Sequence, residues 1–215
     1  MRQPLTKYAI RNPEYLHINT KEDSFAYGLD QEWYPTLWQR RAGCGPTTAS
    51  TLMLYFLQKE GPRTIHKEEV LPLMEELWKL VTPGIMGVHL VSQFTRGVAS
   101  YLPKLPFALT EQTLSIPKTK GARPTLAQVV EFLSTSLLSD SPVAFLNLSK
   151  GSVTNLYEWH WVTLVGLEQE GEDKPVLVTL YDASQAWKID LGLWLETTTR
   201  GGGFVSYHPV LQRGA

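Results

Sequence analysis

A single cysteine, Cys44, stands among 215 residues. With no second thiol, an internal disulfide is excluded, and so is a metal site built from cysteines alone. Net charge is almost absent: 20 Lys and Arg oppose 21 Asp and Glu, leaving −1. That balance lacks the basic footprint by which proteins hold nucleic acid or an anionic membrane. No segment approaches the roughly 20 apolar residues that a membrane span needs. The opening "MRQPLTKYAIRNPEYLHINT" has no unbroken apolar run, which predicts no secretory leader and a cytoplasmic protein. Repeats and low-complexity tracts are missing too. No two histidines fall at helical ligand spacing, so neither a metal nor an organic cofactor is expected.

Apolar residues are plentiful: 43% hydrophobic and 11% aromatic, enough to bury a sizeable core. The length predicts one domain, residues 1–215, with two lobes. Residues 1–37 carry aromatics with little periodicity and read as an extended arm packed on the body, because Tyr27, Trp33 and Tyr34 are too apolar for a free tail. A helical lobe follows over residues 38–102. Ala49, Leu52, Met53, Phe56 and Leu57 recur at helical spacing after Cys44, with Pro46 in the first turn and Gly61-Pro62 as the stop. Further helices are predicted over 67–81 and 87–101. Residues 107–215 form the mainly β lobe. "PTLAQVVEFLSTSLL" reads as its helix, and "FALTEQTLSI", "PVAFLNLS", "HWVTLVGLEQ", "PVLVTLYD", "AWKIDLGLWL" and "GGFVSYHPV" as its strands. Helices first and consecutive strands later indicate an α+β fold with an antiparallel sheet.

Cys44 sits in "QRRAGCGPTTAS", at the start of the first strong helix. Unpaired backbone N–H groups and the helix dipole favour a thiolate there. Gly43 and Gly45 have no Cβ, which leaves room for a substrate backbone beside the sulfur. The competing reading is a small buried hydrophobe.

A nucleophile needs a base and a group to orient that base. Of five histidines, His17, His66, His89 and His208 lie in the arm, at helix starts or near the C-terminus. His160 opens the apolar strand "HWVTLVGL" after a polar turn, where clefts gather. The next strand closes on Asp182. If the two strands are antiparallel, the start of one faces the end of the other, which brings His160 and Asp182 to the same sheet edge. Glu158 and Asp190 are lesser candidates for the orienting acid.

"GCGPTTAS", "PVAFLNLS", "HWVTLVGL" and a strand closing in Asp, in that order, resemble the papain-like cysteine peptidases. The likeness is nearest to their double-glycine, bacteriocin-leader branch and its stand-alone bacterial relatives, and spans residues 38–187. It implies a papain-like fold: a central helix carrying the cysteine, packed on an antiparallel sheet. It also implies hydrolysis of a peptide or amide substrate through an acyl-enzyme. Cys44 would be nucleophile, His160 base and Asp182 the group that fixes the imidazole. The family's oxyanion donor is a glutamine six residues before the cysteine. Here Trp38 holds that place and Gln39 follows it, so Gln39 is the expected donor. Trp161 would shield the pair from water, and the aromatics around the motifs would line an apolar cleft. The same order of residues also occurs in transglutaminase-like and phytochelatin-synthase-like acyltransferases. A non-catalytic scaffold is the third alternative, and the shifted glutamine is the feature that supports it.

Overall fold

The computed structural model describes residues 6–21 and 24–210. Along the chain run β1 (Thr6–Ala9), β2 (His17–Lys21), β3 (Ser24–Tyr27), α1 (Leu37–Ala42), α2 (Cys44–Glu60), β4 (Ile65–His66), α3 (Lys67–Leu80) and α4 (Val91–Ala99). Then follow β5 (Leu109–Ile116), α5 (Leu126–Leu138), β6 (Val143–Asn147), β7 (His160–Gln169), β8 (Leu177–Asp182), β9 (Gln185–Asp190), α6 (Leu191–Thr197) and β10 (Gly202–Pro209). The architecture is α+β. A seven-stranded antiparallel sheet has the order β5-β10-β6-β7-β8-β9, and β1 also pairs with β7. A small three-stranded sheet, β3-β2-β4, lies apart from it.

Strand β7 is ten residues long, and β6 covers only its first half, from His160 to Leu164. Beyond that point β1 takes over the same ladder, pairing Ala9 with Gly166 through to Thr6 with Gln169. The residues read as an arm therefore contribute a strand to the main sheet and a hairpin, β2–β3, to the small one. Residues 1–5 of that segment, together with 22–23 and 211–215, lie outside the described residues.

Apolar side chains cover the sheet on both faces, which is why β6 and β7 read as nearly continuous hydrophobic runs. On one face Ala144, Leu146, Trp161, Val205 and Tyr207 pack against Leu52, Met53 and Phe56 of α2, with α3 and α4 behind. On the other, Phe145, Leu164 and Phe204 meet Val129 and Leu133 of α5 and Trp194 of α6.

Helix α2 is buried almost all round, so its hydroxyls need internal partners. Ser50 and Thr51 donate to the carbonyls of Pro46 and Thr47, at 2.8 and 3.0 Å.

Two elements differ from the sequence expectation. "AWKIDLGLWL" is one strand and one helix: Asp190 ends β9, and its carboxylate accepts the Leu193 N–H at 2.9 Å as the cap of α6. Residues 37–42 form a short helix of their own, α1, ahead of the one that begins at Cys44. The glycines beside Cys44 also serve a different purpose. A Cβ on Gly45 would lie 2.9 Å from Val88 Cβ, and one on Gly43 would lie 2.4 Å from the Gln39 carbonyl. Both contacts are closer than atoms tolerate, so the glycines admit the protein's own chain rather than a substrate. Among the described residues no helix is long and apolar enough to cross a membrane.

Candidate active site

Cys44 occupies the first position of α2, and its side chain is only partly exposed. A first-turn N–H has no acceptor within the helix, so this end of α2 favours negative charge. The packing of α2 against β7 carries the sulfur to the strand end where His160 sits. There the His160 ring is near enough to the sulfur to govern its ionisation. His160 Nε2 lies 2.8 Å from Asp182 Oδ2. That leaves Nδ1 as the ring nitrogen free to exchange a proton with the sulfur. Strands β7 and β8 are antiparallel, with Thr163 opposite Tyr181, so the start of one does meet the end of the other.

Charge in this group follows from its contacts. Burial pushes the Cys44 thiol up, but the His160 hydrogen bond and charge, with the N–H groups of Trp161 and Gly45, outweigh it. The thiol therefore ionises below its ordinary value. Burial pushes the His160 ring down, and its bonds to Asp182 and Cys44 reverse that, raising its pKa to about 10. Between those two values the pair exists as thiolate and imidazolium.

Left-handed backbone flanks both partners. Trp159, immediately before His160, has φ of 56°, and Ala183 and Ser184, immediately after Asp182, have φ of 46° and 65°. Such values cost roughly 1–3 kcal/mol each for residues with side chains and persist only where neighbours enforce them. Trp159 is held by its indole N–H on the Met86 carbonyl at 2.8 Å, by a stack on His89 and by Arg200 over the ring. Ala183 and Ser184 form the two-residue turn between β8 and β9, where glycine or asparagine is the ordinary choice. The N-terminal segment clamps it: Ser184 donates to Asp30 Oδ2 at 2.7 Å, and the Tyr27 N–H reaches the Ser184 carbonyl at 3.1 Å. Nothing in the sequence pattern signals this anchoring.

Gln39 does not join the group. Its Oε1 accepts from the Thr36 N–H and hydroxyl, and its Nε2 donates to Glu75 Oε1 at 3.1 Å. The side chain is buried as the return arm of a capping box that starts α1. Replacing Gln39 with alanine is expected to cost about 1 kcal/mol of stability in urea unfolding. Any turnover should stay within about twofold, against the roughly hundredfold loss that removal of an oxyanion donor brings.

A cleft of about 230 Å³ reaches Cys44 between Trp38, Arg41, Met86, Val88 and Trp159. Trp38 and Met86 are half exposed and Ile85 wholly so, on a turn closed by the Gly87 N–H to the Gly84 carbonyl. Of the other aromatics, Trp161 is core: it is buried, stacks on Phe94 and donates its indole N–H to the Val88 carbonyl at 2.6 Å. The two tryptophans flanking His160 thus both hold the 86–88 loop. Tyr34 is core as well. Glu158 is exposed and Asp190 caps α6, so of these three acids Asp182 is the one bonded to the imidazole. Among the described residues no group of three or more His, Cys, Asp or Glu is disposed to hold a metal ion.

No protein-family model matches the chain, and no curated protein matches it.

Proposed function

We propose that the chain is a thiol-dependent hydrolase of peptide or amide bonds, with a papain-like arrangement of its active site. The observation that carries this reading is the linked series Cys44–His160–Asp182 at the mouth of an apolar cleft, with the sulfur at a helix start. The sulfur attacks the substrate carbonyl carbon, a C–S bond forms, and the carbonyl electrons move to oxygen. That oxyanion is opposed by the Cys44 N–H and the positive end of α2. His160 gives its Nδ1 proton to the leaving nitrogen as the C–N bond breaks. Water then adds to the thioester while His160 takes a proton from it, and the C–S bond breaks to release the acid. Asp182 keeps the ring oriented and stabilises its charged form throughout.

The engagement of Gln39 with Thr36 and Glu75 favours a second reading, a scaffold without turnover, because its amide is not free to serve as donor. The lowered thiol pKa argues the other way, since a buried structural cysteine has no use for a thiolate. The two part company in one experiment. Labelling of Cys44 by iodoacetamide is followed by intact mass from pH 5 to 10, beside cleavage of a peptide pool. The enzyme reading expects fast labelling at pH 6 and cleavage that vanishes in Cys44→Ala. Labelling that rises only above about pH 8, with an intact pool, refutes it.

A further inference from the structure

Asp182 has few bonds of its own. Among the described residues its carboxylate is bonded to His160 and to no other group. Where that carboxylate stands is therefore decided by the backbone at the end of β8. The backbone runs straight into the two-residue turn Ala183–Ser184, left-handed at both positions. Neither residue is glycine, and two left-handed residues with side chains do not keep such a turn unaided.

The support comes from four residues far upstream, Tyr27 to Asp30. Tyr27 sets its ring edge against Tyr181, the residue before Asp182, with centroids 5.1 Å apart. Its N–H and the Asp30 carboxylate then take the carbonyl and the hydroxyl of Ser184. The second Asp30 oxygen is occupied too: Oδ1 accepts the Glu32 N–H at 2.9 Å and starts the short 3₁₀ helix Gln31–Trp33. Buried and bonded at both oxygens, the Asp30 side chain is fixed in place.

The same four residues also grip the helix that carries the sulfur. The Leu29 N–H donates to Thr51 Oγ1 at 3.4 Å, about two turns along α2 from Cys44. At Gly28, with φ of 74°, the chain passes between helix and strand. A Cβ there would stand 3.5 Å from Thr51 Cγ2 and 3.5 Å from Tyr181 Cβ. One segment thus touches both the nucleophile's helix and the acid's strand.

We infer that Asp30 is a positioning residue for Cys44, His160 and Asp182: through the Ser184 hydroxyl it keeps the turn after β8 left-handed, and so keeps the Asp182 carboxylate on the imidazole. This rests on the hydrolase reading above. Asp30 meets no reacting atom and exchanges no proton in the reaction. Without its bond the turn relaxes, Asp182 spends part of its time away from Nε2, and the imidazolium loses the charge that stabilises it. The thiolate weakens in turn, because the imidazolium is what favours it.

The test follows iodoacetamide labelling of Cys44 by intact mass from pH 5 to 10, in the full chain without denaturant. Asp30→Ala removes both bonds of the carboxylate. Ser184→Ala removes only the clamp and leaves the Glu32 cap intact, so it carries the test if the first variant does not fold. Both should label about fivefold more slowly than wild type at pH 6, the effect of losing one hydrogen bond, with the rise of the profile moved towards alkaline pH. Ser184→Gly lacks the hydroxyl as well, but glycine adopts the left-handed turn unaided. It should label within about twofold of wild type. In an Asp182→Asn background either alanine should add less than about twofold, because the charge to be positioned is already gone. Wild-type profiles for Asp30→Ala and Ser184→Ala overturn the inference. So does an equal loss in Ser184→Gly and Ser184→Ala, and so does a loss that adds in full to that of Asp182→Asn. Slow labelling of the wild type at pH 6 removes the hydrolase reading instead, and this inference with it.

Discussion

Replacing His160 with alanine is expected to slow iodoacetamide labelling of Cys44 at pH 6 by about a hundredfold or more. The sulfur is held anionic against burial, which is the largest influence on it and acts to raise its pKa. Of the groups that oppose burial, the His160 hydrogen bond and charge come first, and both leave with the ring. The N–H groups of Trp161 and Gly45 remain, but they are dipoles, not charges. With the thiol back at or above about 8.5, only a few parts per thousand are thiolate at pH 6. The shape of the profile changes as well as its height. In the wild type, labelling should rise at a pH below that of a free thiol and stay level until the imidazolium titrates, near the raised His160 value of about 10. In the variant that plateau disappears, and a single rise appears at alkaline pH. An Asp182→Asn substitution should fall between the two, since it keeps a hydrogen-bond acceptor for the ring and removes the charge. Superimposable profiles for wild type and His160→Ala would contradict the whole assignment, because the ring would then have no hold on the sulfur.

The sulfur is held anionic only where three residues meet, and part of that meeting lay open in the sequence. The approach of His160 to Asp182 followed from two apolar runs and the antiparallel rule, since an acid closing one strand must face the opening of the next. The sulfur's place at a helix start was visible in "GCGPT". The bonds that engage Gln39 away from the sulfur are also written in the chain. Thr36 and Gln39 stand three residues apart, the spacing of a capping box, and that pattern marks both the short helix α1 and the employment of the glutamine side chain. The same pattern recurs at Thr125 and Gln128, ahead of α5. Asp190 followed by Leu191, Trp194 and Leu195 carried a comparable signal for α6. Other features had no local signature. The pairing of β1 with the far half of β7 joins residues about 160 positions apart, and strand propensity does not choose such a partner. The left-handed Trp159, and the clamp from Asp30 onto the turn after Asp182, are imposed by tertiary contacts against local preference. The N-terminal segment therefore supports the site from outside, through a turn whose own residues do not favour it.

The other large effect is expected far from the cleft, at Asp140, where Asp140→Ala should destabilise the fold by about 3 kcal/mol. Asp140 is buried between the end of α5 and the start of β6, at φ of 57°, a conformation that Asp tolerates better than most residues. Its carboxylate ties two other parts of the chain to that junction. Oδ1 accepts the Arg11 N–H at 2.7 Å and the Tyr55 hydroxyl at 2.5 Å, and Oδ2 pairs with Lys59 Nζ at 2.9 Å. The first bond fixes the end of the segment that runs on from β1, and the other two fix the C-terminal half of α2. Alanine would leave a buried hydroxyl and a backbone N–H without acceptors and a mostly covered ammonium without its partner. Each of these costs about 1–3 kcal/mol when unsatisfied, reduced where water can reach the lysine. The check is the urea midpoint at constant slope. A change below about 1 kcal/mol would mean that water replaces the carboxylate at little cost. The pH dependence has a definite sign. Burial pushes this carboxyl up, but Tyr55, the Arg11 N–H and Lys59 together hold it below the ordinary Asp value. A depressed folded pKa means that the stabilisation is complete above the unfolded value of about 3.9 and fades as pH falls through the folded one. The wild type's advantage over Asp140→Asn, which keeps the shape and an acceptor but not the charge, should therefore be level from pH 6 to 8. It should shrink progressively below about pH 4. Persistence of that advantage at pH 2 would show that the carboxylate's charge is not what holds these three segments together.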